Sequence, residues 1–136
     1  MITASTYARE YDVRMARKVL DPLERMRKIC LALPETTERL SHGSPTWFIR
    51  EKRSFVMYLD DHHGDGRLAI WAVAPPGMQA MLVDGAPEGY FVPPYVGHSG
   101  WVGVHLNRGL DWEEIAGVVE DAWLVRAPKR LADSLR

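Results

Sequence analysis

Three apolar segments in mid-chain, Thr46 to Arg50, Ser54 to Asp60 and Arg67 to Ala74, are separated by only three and six residues. That spacing is the strongest constraint on the fold. A crossover between parallel strands takes about a dozen residues or more, whereas antiparallel neighbours need only a short turn. In the second segment Phe55, Met57 and Leu59 alternate with Val56 and Tyr58. In the third, Leu68, Ile70 and Ala72 alternate with Ala69, Trp71 and Val73. Both faces of that third segment are apolar, as in a central strand. An antiparallel meander is therefore expected, with Glu51-Lys52-Arg53 as a tight turn and DDHHGDG as the next loop.

Helical patterning flanks this block. Asp21-Pro22-Leu23-Glu24 combines a capping aspartate, a first-turn proline and a glutamate placed for a capping box. Leu23, Met26, Cys30 and Leu33 then form one stripe, and Pro34 ends it. A helix opened by Pro75-Pro76 and closed by Gly85 carries Met78, Met81 and Leu82. Asp111 to Glu114 is a second capping box, before the stripe Trp112, Ile115, Val119, Ala122 and Trp123. Pro128 breaks that helix, and a final short one is expected over KRLADSLR. A short strand is expected at Glu38–Leu40 and another at Trp101–Asn107. Between them, residues 86–100 form a long connection rich in Pro, Gly and aromatics. The fold class is α+β: an antiparallel meander packed against N-terminal, middle and C-terminal helices. Residues 21–136 are read as a single domain, and residues 1–20 as an extension, helical or frayed.

Composition narrows the function classes. No apolar run nears the roughly 18 residues of a membrane span, and the N-terminus lacks the apolar block of a secretory signal. Cys30 is the only cysteine and falls in a helical stripe, so it reads as a small buried hydrophobe. A cytoplasmic protein without a membrane partner is expected. The net charge of −1 conceals an asymmetry, with −8 over residues 54–125 and +7 over the flanks.

The order of motifs carries a resemblance. LPETTE ends the first helix, followed by SHGSPTWF, a basic turn, FVMYL, HHGDGRLAIW, PPYVGHSGW, DWEEIAGVVEDAW and APKRL. Over roughly residues 22–132 this resembles the MmcQ/YjbR family, in particular an actinobacterial-type branch. The resemblance implies a frataxin-like α+β arrangement, described as double-wing, and a DNA-binding role assigned by analogy of fold. An asparagine and a lysine that elsewhere in the family precede a His-Trp pair have no counterpart in Tyr95 to Trp101. Their role does not carry over.

Candidate chemistry divides into four readings. His62 and His63 invite a metal, but adjacent residues of extended chain point apart; only in a turn could Asp61, His63 and Asp65 converge. No metal or other cofactor is expected, and Gly64-Asp65-Gly66 reads first as turn chemistry. Ser41-His42 and His98-Ser99 are adjacent pairs, not the converging side chains of a nucleophile and its base, so the chain reads as a non-enzymatic binding protein. DNA binding, weak and electrostatic, would use Arg50, Lys52 and Arg53 at the first hairpin, Arg67 at the second, and Lys129 and Arg130. Against it stand the acidic DDHHGD loop and the acidic last long helix. The alternative is a small-molecule or peptide pocket, in a binding protein or an uncharacterised enzyme, built from His42, Trp47, Asp61, His62, His63, Tyr95, His98 and Trp101.

Overall fold

The computed structural model describes residues 21–135. The charged extension, residues 1–20, lies outside the described residues. Helix α1 (Pro22–Leu31) leads into strands β1 (Thr36–Ser41), β2 (Ser44–Ile49), β3 (Arg53–Asp60) and β4 (Leu68–Ala72). Helix α2 (Met78–Gly85), strand β5 (Tyr90–Phe91), strand β6 (Val102–His105), helix α3 (Trp112–Arg126) and helix α4 (Lys129–Leu135) complete the order. All six strands join one antiparallel sheet in the order β1-β2-β3-β4-β6-β5. The first four form the meander that the short connections require. The chain then overshoots: β6 pairs with β4, and β5 takes the outer edge beside β6. The two-residue β5 lies inside the stretch expected to be irregular, and it is too short to show an alternating pattern.

Helix starts differ from one another. The Asp21 carboxylate accepts the N–H groups of Leu23 and Glu24 at 2.9 and 3.4 Å, as a cap should. Glu24 turns instead to Arg27 at 2.6 Å, and Arg27 in turn holds Glu38 of β1 at 3.0 Å. At the start of α3 the Asp111 side chain makes no capping bond. Glu114 accepts the phenol proton of Tyr90, a buried hydroxyl in need of a partner. Other side chains thus took both glutamates expected to close capping boxes: Glu24 went to a neighbour on its own helix, Glu114 to a residue of β5. α2 begins at Met78 and not at Pro75, because Gly77 sits at its N-cap in a left-handed conformation.

Two rows across the sheet position everything else. Trp47, Val56, Ala72 and Val102 are in register and 0% exposed. This row belongs to the core shared with Met26 and Cys30 of α1 and Ile115, Val119 and Trp123 of α3. The Trp123 indole donates to the Pro34 carbonyl at 3.1 Å, tying α3 to the turn after α1. Burial in this core pushes the Cys30 thiol pKa well above its ordinary value. The neighbouring row runs Thr46, Met57, Trp71, Gly103, Phe91. A β-bulge between Trp47 and Phe48 shifts the β2–β3 register. Among the described residues no helix is long and apolar enough to cross a membrane.

Candidate functional site

A cavity of about 490 Å³ opens along β3, within the size range of ligand pockets. Met57, Leu59 and Trp71 line it from the sheet, with Ser54 at one end of β3. Ser41, His42, Ser44 and Thr46 contribute from the β1–β2 hairpin, and Tyr95, Val96 and Trp101 from the long connection. His62 and His63 close the other end of β3. The long connection is held by Gln79 of α2, whose side-chain amide donates to the carbonyls of Gly97 at 2.7 Å and Trp101 at 2.6 Å.

The DDHHGDG loop presents its histidines through its own turn chemistry. The Asp61 carboxylate accepts Gly66 N–H at 2.8 Å, and that of Asp65 accepts Arg67 N–H at 2.9 Å. Gly64 and Gly66 take positive φ, as the turn reading requires. So do Asp61 and His63, which places a short 3-10 turn at His62–Gly64. The His62 ring then lies 4.9 Å from Trp71 at 71° and 6.1 Å from Tyr95 at 80°, with His63 at 4.1 Å. His42, His63 and Tyr95 all hold left-handed backbone, at φ of 52°, 51° and 64°. For residues with a Cβ such conformations cost on the order of 1–3 kcal/mol, and they concentrate where a fold must aim side chains at a ligand.

The candidate pocket residues therefore separate. His42, His62, His63, Tyr95 and Trp101 reach the cavity. Trp47 does not: it is 0% exposed, and its indole donates to Glu38 at 3.1 Å. Asp61 is engaged by its own loop, and His98 lies exposed in the 3-10 turn Gly97–Ser99, off the cavity lining. Trp71, assigned to packing by its strand and 3% exposed in the core, also lines the cavity, and it is the one aromatic lining residue that sequence reasoning did not name. Its register opposite Met57 is the signal that would have found it, and only strand pairing supplies that register.

The candidate nucleic-acid residues are partly engaged elsewhere. Arg50 pairs with Glu35 at 3.1 Å, and Arg53 donates to the Arg126 carbonyl at 2.8 Å. Lys52, Lys129 and Arg130 are exposed. The Arg67 guanidinium lies over the Phe91 ring, 4.0 Å from its centroid.

Next to that ring is His105, 5% exposed, with no partner for Nδ1 among the described residues. Burial pushes its pKa down; Arg108 and Arg67 push the same way, and Asp65 opposes them. The native state thus resists a proton that the unfolded chain accepts. The stability this group supports is intact above the ordinary imidazole range near pH 6.5 and is lost as pH falls from there to the depressed native value. Urea midpoints taken between pH 7 and 5 should fall less in His105→Leu than in the wild type. Equal slopes would show that His105 is not the group responsible.

The YjbR family model matches residues 31–125. The crystal structure of Deinococcus radiodurans protein DR2400, with domain DUF419, is similar at a TM-score of 0.64 and 17% identity. That likeness covers 77% of this chain and 80% of the other, and at such identity it speaks to the fold alone. No curated protein matches the chain. The matched stretch runs from the last turn of α1 to the end of α3 and includes every strand of the sheet. The chain belongs to the YjbR family.

Proposed function

We propose that this is a non-enzymatic small-molecule-binding protein whose ligand occupies the cavity between the β1–β2 hairpin, the His62–His63 loop and the long connection. The observation that carries the reading is the convergence of His42, His63 and Tyr95, each in left-handed backbone, on one cavity lined by Trp71 and Trp101. At His63 and Tyr95 the rare conformation turns a ring toward the cavity, as at ligand sites, whereas at His42 it is what the two-residue β1–β2 turn requires; Glu35, Arg50 and Glu51 hold it off the cavity. The compartment proposed is the cytoplasm, in keeping with a single, buried cysteine.

The test is a protein-observed NMR screen with fragment-sized molecules. Binding fragments should shift the indole N–H signals of Trp71 and Trp101 while those of Trp47 and Trp123 stay in place. Tyr95 is 69% exposed, so Tyr95→Ala should leave stability within about 0.5 kcal/mol and weaken those fragments. Shifts confined to other surfaces, or indifference to Tyr95→Ala, would sink the reading.

Nucleic-acid binding is the second reading, and one observation favours it. The Arg53–Arg126 contact brings the basic hairpin tip to the end of α3, from which α4 with Lys129 and Arg130 follows. Opposed to it are the Arg50–Glu35 pair and the acids Glu113, Glu114, Glu120 and Asp121 on α3. Labelled duplex titrated at two salt concentrations decides. Phosphate contacts would show as steep weakening with salt, and no binding at low salt removes the reading.

A further inference from the structure

We infer that the cavity takes an uncharged, flat aromatic molecule carrying hydrogen-bonding groups at its edge; the inference rests on the ligand-pocket reading above. None of the thirteen described residues lining the cavity is Asp, Glu, Lys or Arg. A ligand charge buried there would lose its water and find no permanently charged partner among the lining residues. The fixed charges beside the lining are of both signs, so neither a ligand anion nor a cation meets a uniformly opposite field. Asp61 and Asp65, in the same loop as the two histidines, repel an anion, and their carboxylates already accept N–H groups of that loop. At Trp101 the Arg126 guanidinium stands 5.7 Å from the ring centroid and repels a cation.

Flatness follows from the rings. His62 stands nearly perpendicular to Trp71 and to Tyr95, at 71° and 80°, so its ring makes a corner with each of them. A flat molecule fills such a corner by stacking on one ring and meeting another edge-on, the two favoured aromatic geometries. Met57, Leu59 and Val96 supply apolar contact. The hydroxyls of Ser41, Ser44 and Ser54 and the imidazoles of His42 and His63 both donate and accept, which suits an amide, phenol or ring-nitrogen edge.

Four probes separate these features: indole-3-acetamide, its anionic congener indole-3-acetate, its cationic congener tryptamine, and the non-aromatic cyclohexylacetamide. Each is titrated into the ¹⁵N-labelled full chain and followed by backbone and indole N–H shifts. The amide should bind with millimolar or better affinity and about tenfold more tightly than each of the other three. His62→Ala and Tyr95→Ala should each weaken the amide about fivefold while the remaining spectrum keeps its dispersion. If either charged congener binds as tightly as the amide, the uncharged class is wrong and the pocket reading stands. If cyclohexylacetamide matches it, flatness is wrong and the pocket reading again stands. If no probe gives saturable shifts at the cavity, this inference and the pocket reading fail together.

Discussion

Trp47→Ala is expected to lower the unfolding free energy by about 3–5 kcal/mol, the usual cost of removing a fully buried large aromatic side chain. The residue is 0% exposed and sits in the row that faces the helices, beside Val56 of β3. Its indole N–H also binds the Glu38 carboxylate that Arg27 holds, so Trp47, β1 and α1 share one linked set of contacts. Against a total of about 5–15 kcal/mol such a loss is large, and it reads out directly as a shift in the guanidinium midpoint. Trp47→Phe should cost less, because Glu38 keeps Arg27 as a partner and only the indole bond and some volume go. The folded fraction of Trp47→Ala should keep whatever ligand affinity the wild type has. A stable variant that loses ligand would place Trp47 in the site and contradict its described position.

Gly103→Ala is the second large effect. Gly103 of β6 lies opposite Phe91 of β5, and a Cβ on it would overlap the Phe91 ring. That ring has little room to retreat. It is 8% exposed, with the Arg67 guanidinium 4.0 Å and the His105 ring 4.8 Å from its centroid. Relief must come from an off-rotamer ring or from separation of a two-residue edge strand, at a cost of about 1–3 kcal/mol or more. Phe91→Leu in the same background should recover part of the loss, giving a coupling of about 0.5–3 kcal/mol in a double-mutant cycle. Additive costs would mean that the two side chains do not compete for the same space.

The strands show how far periodicity reaches. Those from Ser44 to Ala72 lie within two residues of where alternation and turn residues put them, because each has enough residues to display a period of two. β5 has no such length, and only its pairing with Gly103 and Val104 makes it a strand. Capping divides in the same way. Asp21 caps with its own local geometry, whereas Glu114 was drawn to a phenol 24 residues away in sequence, a competitor invisible to local pattern. At the site, His42, His62, His63 and Tyr95 attract notice as exposed-type residues in loops, and the left-handed backbone at His42, His63 and Tyr95 aims them inward. Trp47 attracted the same notice wrongly, since a tryptophan in a strand is assigned to a face by register, and register belongs to the partner strand.

By itself the amino-acid sequence determined the antiparallel sheet, the three principal helices and the turn character of DDHHGDG. Chain spacing, alternation and glycine placement act over a few residues and leave little competition. Only the tertiary structure decided the strand order at the β6–β5 edge, that Trp47 is sealed in the core, and that the hairpin, the histidine loop and the long connection meet around one cavity. Those outcomes depend on contacts between residues far apart in sequence, such as Trp71 with His62 or Gln79 with Trp101, and no local period encodes them.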